Sequence, residues 1–143
     1  LSISSSHAAP RALRLLSDFV RSSGLRHLIL ANCNLEDQQC GDLLRAAGPR
    51  ALRLETLDFA GCRCGRRTCE ELAVLLSDPS CRLRRVCVDR TRCGDEGVEI
   101  LAAALSARPD PMDPSLPWVP GLRCLSARGC GAGSRGGSAM AAS

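Results

Sequence analysis

One feature constrains this chain more than any other: it repeats itself. Three segments align without gaps at offsets of 29 residues, LRHLILANCNLEDQQCGDLL from Leu25, LETLDFAGCRCGRRTCEELA from Leu54 and LRRVCVDRTRCGDEGVEILA from Leu83. A fourth segment, LRCLSARGCGA from Leu122, repeats the opening. A unit this short cannot bury an apolar face alone, so successive units must stack and share one continuous core. Each unit carries the pattern L-x-x-L-x-L-x-x-N/C-x-L, whose central alternation predicts a short strand and whose N/C residue turns the chain. Strand cores are expected at 28–30, 57–59, 86–88 and 125–127. Behind each of the first three strands stand apolar residues at helical spacing. Val98, Leu101 and Leu105 are an example, led by Asp95 and Glu96 where a helix N-terminus favours negative charge.

The N-terminus keeps the same register with a shorter step, since Leu1 and Ile3 precede Leu28 and Leu30 by 27 residues. Pro10 falls where Asp37 opens the next helix, and Gly24 closes the segment as a C-terminal cap would. The expected fold is α/β, a horseshoe-shaped solenoid with about five parallel strands on its concave face and four helices on its convex face. The repeat domain spans 1–132, with units starting near 1, 25, 54, 83 and 122, a Pro-rich insertion at 108–121 and a flexible tail at 133–143. The chain begins at Leu and not at Met, which suits a processed product or a piece of a longer protein.

Composition fits thin layers. Its 143 residues are 45% apolar yet include two Phe, one Trp and no Tyr, so Leu, Ala, Val and Cys must fill the core. All 19 basic residues are Arg, but 15 acids hold the net charge to +4, well short of the profile of a nucleic-acid binder. No apolar run approaches the roughly 20 residues a membrane span requires, and the opening LSISSSHAAPRAL lacks the layout of a signal peptide.

Three stretches, NCNLEDQQCGDLL, LLSDPSCRLRRV and RCGDEGVEILAAAL, carry a family resemblance over residues 1–132. Their most specific pieces are the Pro-x-Cys-x-Leu turn at 79–83 and Gly-Asp-Glu-Gly-Val at 94–98. With its 29-residue period the chain resembles the ribonuclease-inhibitor type of leucine-rich repeat, and most of all the repeats of nucleotide-binding, leucine-rich-repeat immune receptors. The resemblance implies a curved protein-interaction module. The chain departs from the pattern at Thr91, which holds the N/C position, and at Arg66, which stands where Asp37 and Asp95 stand. No nucleotide-binding domain is present in it.

Superposing the units assigns most of the ten cysteines. Cys33, Cys62 and Cys130 share the turn position, Cys64 and Cys93 the inward position of Leu35, and Cys40 and Cys69 the helix position of Val98 and Leu13. Cys81 replaces Leu52. These eight are expected to act as small buried hydrophobes. Two His, no C-x2-C pair and cysteines spread along the stack argue against a metal site, and similar side-chain directions argue against disulfides. Reduced thiols, like the resemblance, point to the cytoplasm, with the nucleus as the alternative. Cys87 and Cys124 face outward instead, with Cys87 opposite Ser126 and Cys124 opposite Arg85. Either thiol is a reactive or an inert surface residue.

Outward strand positions form the candidate partner-binding face. They are His27, Ile29 and Ala31, then Thr56, Asp58 and Ala60, then Arg85, Cys87 and Asp89, and last Cys124, Ser126 and Arg128. One position earlier, Arg26, Glu55, Arg84 and Arg123 stack along the sheet, which predicts an ion-pair ladder with Glu55 between two guanidiniums. A second feature is an edge of five cations in two adjacent loops, Arg63, Arg66, Arg67, Arg90 and Arg92. It is either a clamp for an acidic surface or phosphate, or an edge neutralised by Glu70, Glu71 and Glu96. In the insertion RPDPMDPSLPWVPG the only Trp, Trp118, is a candidate partner anchor or a cover for the end of a repeat. The Gly-x-Gly-x-x-Gly at 131–136 lacks the following helix and acid of a dinucleotide site, so no cofactor is expected.

The leading expectation is a non-enzymatic protein-binding scaffold or sensor, with another protein as partner and no membrane. The resemblance extends to ribonuclease inhibitor and to the activating protein of the Ran GTPase, so regulation of an enzyme through loop arginines is one alternative. Anion or nucleic-acid binding through the Arg edge is the disfavoured other. Neither end carries a polar cap, so self-association is expected if the segment stands alone.

Overall fold

Each 29-residue unit folds as a strand, a turn and a helix. The computed structural model describes residues 10–48, 53–106, 121–131 and 133. Among these the elements run α1 (Pro10–Ser22), β1 (His27–Ile29), α2 (Asp37–Ala47), β2 (Thr56–Asp58), α3 (Arg66–Leu76), β3 (Arg85–Cys87), α4 (Gly94–Ser106) and β4 (Cys124–Ser126). The four strands form one parallel sheet in chain order. The register repeats the sequence period, since Leu28 faces Leu57, Leu57 faces Val86, and Val86 faces Leu125.

The architecture is thus α/β, with four helices and four parallel strands among the described residues. The fifth strand expected near Leu1 lies outside them. Each strand begins one residue before its expected core. The pairing nevertheless continues through that core, because the N–H groups of Leu30, Phe59 and Val88 donate to the carbonyls of Asp58, Cys87 and Ser126 on the next strand. The helix that carries Val98, Leu101 and Leu105 starts at Gly94, with Asp95 and Glu96 in its first turn.

Alternation sorts the strand residues onto two sides. Leu28, Leu57, Val86, Leu30, Phe59 and Val88 point to the helices and are buried at 1% exposure or less. Each helix supplies its own apolar stripe, Cys40, Leu43, Leu44 and Ala47 in α2, and Cys69, Leu72, Leu75 and Leu76 in α3. Spacing by three and four residues places these on one helix face, where they join the strand residues in one core. The other side of the sheet carries no described helix and is called the open face below.

Seven of the eight cysteines that the period assigns to the interior are buried there, and Cys81 is the exception. Seven of the ten are buried, Cys81 and Cys87 are half-buried and Cys124 is exposed. All ten are free thiols. Cys62 donates to the Leu30 carbonyl at 3.2 Å, and the Cys64 and Cys40 sulfurs lie 3.4 Å apart between successive units. Hydrogen bonds with Cys62 and Cys64, reinforced by burial, hold the Cys40 thiol far above the usual range. At the remaining turn position Thr91 is buried and donates its hydroxyl to the Val88 carbonyl at 2.7 Å, so a polar residue is accommodated in a cysteine's place.

Candidate functional site

The open face is built by register. His27, Thr56, Arg85 and Cys124 form one row across the sheet, and Ile29, Asp58, Cys87 and Ser126 form the next. His27, Arg85, Cys124 and Arg128 are exposed, while Ile29, Thr56, Asp58, Cys87, Asp89 and Ser126 are half-buried. In the first row His27 Nδ1 and Thr56 Oγ1 share a hydrogen bond of 3.1 Å. Burial pushes the Cys87 thiol up to about 11, which keeps it protonated at neutral pH, and Cys124 is the exposed thiol.

Both carboxylates of this face are turned onto backbone. The Ala60 N–H donates to Asp58 Oδ1 at 2.8 Å. Asp89 Oδ1 accepts from the Ser126 hydroxyl and from the Arg128 N–H, each at 2.7 Å, which ties β3 to β4. Desolvation works to raise the Asp89 carboxyl, but the bonds from Ser126 and Arg128 outweigh it and hold the group below its ordinary value.

Some of the described cations are paired and others are not, with exposed Arg14, Arg21, Arg53 and Arg82 of the earlier units among those in no ion pair. Arg26 pairs with Glu55 at 3.6 Å, Arg63 with Glu36 at 2.6 Å and Arg67 with Asp42 at 2.9 Å. Arg45 pairs with Glu71, and Arg66 with both Glu70 and Glu96. Arg84, Arg85, Arg90, Arg92, Arg123 and Arg128 are exposed and make no ion pair among the described residues. The ladder of Arg26, Glu55, Arg84 and Arg123 exists along the backbone, but Glu55 pairs with Arg26 and not with Arg84. The edge of five loop cations is two different things, since Arg66 and Arg67 open α3 and are neutralised, whereas Arg90 and Arg92 lie in the β3–α4 turn and are not.

Two features escaped the reading of the sequence. The turn after each strand passes through a left-handed residue, and the four are Asn32 (φ 57°), Gly61 (φ 68°), Arg90 (φ 54°) and Gly129 (φ 62°). Asn and Gly tolerate this region and a long side chain does not, so Arg90 is the misfit; superposing positions 32, 61, 90 and 129 would have exposed it. The second is Asp37. Its Oδ1 accepts from the Gly65 N–H, the Thr68 N–H and the Thr68 hydroxyl at 2.7, 2.9 and 2.6 Å, and its Oδ2 from the Arg67 N–H at 3.1 Å. A carboxylate in one unit therefore caps the helix of the next. Desolvation opposes its ionised form, but the Thr68 bonds, with those of Gly65 and Arg67, prevail and hold the carboxyl below its ordinary value. Trp118 lies outside the described residues.

On the helix side, furrows run between successive helices, one lined by Arg45, Glu71 and Val74 and another by Val74, Ile100 and Ala103. No three His, Cys, Asp or Glu side chains among the described residues converge as a metal would require. No helix among them is long and apolar enough to cross a membrane. Comparison of the sequence with protein-family models gives no match, and comparison with curated proteins gives none.

Proposed function

We propose that this chain is a protein-interaction module built from leucine-rich repeats of the ribonuclease-inhibitor type, binding another protein on its open, concave face. The observation that carries the reading is the 29-residue register, kept strand by strand between β1 and β3 while the outward rows stay free of any described element. A stack of this kind presents side chains from several units on one continuous surface, which suits a macromolecular partner better than a small substrate. The module is a scaffold or sensor and not an enzyme, because Asp58 and Asp89, the carboxylates best placed for acid–base work, are committed to backbone N–H groups. Ten free thiols suit a reducing compartment, the cytoplasm or nucleus.

Photo-crosslinking tests the reading. A photoreactive residue at Arg85, on the open face, is expected to give saturable protein adducts that unlabelled chain competes away. The same residue at Val74, on α3 and 69% exposed, is expected to give none. Equal yields from both sites would reject an open-face module. The reading also makes the ends of the stack sites of self-association, since Leu15 is 71% exposed on α1 and Leu125 is half-buried where Leu28, Leu57 and Val86 are fully buried. Light scattering over a concentration series checks this, and a monomer throughout would remove it.

A further inference from the structure

The arginines of the last two strands are arranged against their own interest. At one end of the β3–β4 pair the Arg123 N–H donates to the Arg84 carbonyl at 2.8 Å, and at the other end the Arg90 N–H donates to the Arg128 carbonyl at 2.7 Å. The first bond sets two guanidinium-bearing residues side by side on adjacent strands, at a spacing of roughly 5 Å between chains, whereas the register sets Arg90 opposite Gly129 and Arg128 opposite Asp89. Like charges so placed repel, and neither Arg84 nor Arg123 has an ion-pair partner among the described residues, while Arg128 lies beside the Asp89 carboxylate. Of the arginines in the two preceding units, Arg26, Arg45, Arg63, Arg66 and Arg67 each meet an acid, while Arg53 and Arg82 do not.

Arg90 adds an independent observation. It occupies the left-handed turn position that Asn32, Gly61 and Gly129 fill in the other units, and its Cγ lies 3.7 Å from where a side chain on Gly129 would begin. A glycine would suit the Arg90 backbone better. A strained residue that also contributes an unneutralised charge lowers stability twice over, and such residues gather at binding sites.

We propose that the β3–β4 end of the open face is a docking surface for an acidic protein segment, held by the cross-strand pair Arg84 with Arg123 and by Arg90 at the turn, and flanked by Arg85 and Arg92. Guanidinium forks accept carboxylates in bidentate fashion, and two forks side by side suit two acids on one extended strand. Arg84 and Arg90 stand six positions apart on the β3 chain, so an extended segment of similar length, roughly 20 Å, reaches both. A nucleic acid fits less well. Asp89 sits within the patch and would face phosphates, and Phe59, the aromatic of the sheet, is fully buried and offers bases no stacking surface. An acidic protein segment can instead meet Asp89 with a hydroxyl or amide.

This assignment rests on the open face being an interaction surface, and the test separates the two. A labelled short peptide with Glu at alternate positions, its Gln counterpart and a short single-stranded oligo-dT are titrated with the full chain at low salt. The Glu peptide is expected to bind and the Gln peptide not. Arg84→Gln with Arg123→Gln is expected to weaken Glu-peptide binding at least about tenfold, and Arg45→Gln with Arg63→Gln, which removes paired cations, to leave it unchanged. Arg90→Gly is expected to weaken binding about threefold while raising or preserving the melting temperature, an opposition that a purely structural role would not produce. Failure of the Glu peptide to bind, equal losses in the control variant, tighter binding of oligo-dT, or a lower melting temperature for Arg90→Gly would each overturn the assignment. If the Glu peptide fails while crosslinking at Arg85 succeeds, only the acidic docking is wrong; if both fail, the interaction reading falls with it.

Discussion

The junction between α2 and α3 and the junction between α3 and α4 place the same position of the repeat at the start of a helix, and solve the same problem with opposite charges. At the first, Asp37 reaches across and accepts four hydrogen bonds from Gly65, Arg67 and Thr68. At the second, the equivalent residue is Arg66, which leaves the backbone alone and bonds the Glu96 side chain in the first turn of α4. Asp95 restores the first arrangement one unit later, its Oδ1 accepting the Gly133 N–H at 2.6 Å. An acceptor aimed at backbone N–H groups satisfies donors that a helix N-terminus cannot satisfy internally. An exposed ion pair satisfies only itself and is screened by water and salt. The two junctions are therefore alike in pattern and unequal in strength.

The largest test of that inequality is Asp37→Ala. It leaves the N–H groups of Gly65, Arg67 and Thr68 without their acceptor, with Thr68 fully buried, and is expected to cost about 3 kcal/mol in chemical denaturation. A loss no larger than that of a surface substitution would show that the cap is ornamental. Next comes the packing of the α3–α4 junction, where Gly97 lets the helices approach. A Cβ there would stand 2.8 Å from the Cys69 sulfur and 3.0 Å from Cys93 Cβ, so Gly97→Ala is expected to destabilise by about 2 kcal/mol. The same change at Gly41 in α2 meets the flexible side chain of Arg67 at 3.0 Å and is expected to be nearly neutral. Equal effects at the two glycines would mean that close approach does not hold the second junction together.

A smaller effect is the pH dependence of the first junction. The Asp37 carboxyl is held below its ordinary value of 3.8, so the unfolded chain takes up its proton first as pH falls. Its contribution is complete above that value and is lost as the pH drops through the lower folded one. The stability gap between the parent chain and Asp37→Ala is thus expected to be constant near neutrality and to narrow in acid, and a gap that widened in acid would contradict the assignment. The smallest effect is expected from Arg66→Ala, a change in melting temperature within the scatter of replicate scans and absent in high salt.

Much of this fold was legible in the chain. The 29-residue period placed the strands in parallel order and in register, with Leu28, Leu57 and Val86 inward, because a stack of identical units has only one neighbour relation to satisfy. It also placed Cys33, Cys62 and Cys130 at one buried turn position, and Cys87 opposite Ser126. The same superposition contained the Asn, Gly, Arg and Gly of the left-handed turn, although a backbone angle is needed to see why the Arg stands out.

Sequence by itself determined which residues share a layer, since alternation along a strand and a fixed period leave the inward positions no choice. Only the tertiary structure decided which charges meet. Glu71 lies among the acids near the Arg edge but pairs with Arg45, Arg67 turns back to Asp42, and Glu55 chooses Arg26 over Arg84. The physical reason is reach: an apolar side chain is held by the layer it is in, whereas a guanidinium on a long, rotatable stem samples acids from its own helix, the unit before and the unit after. The geometry of all three is required to tell a neutralised arginine from an unpaired one.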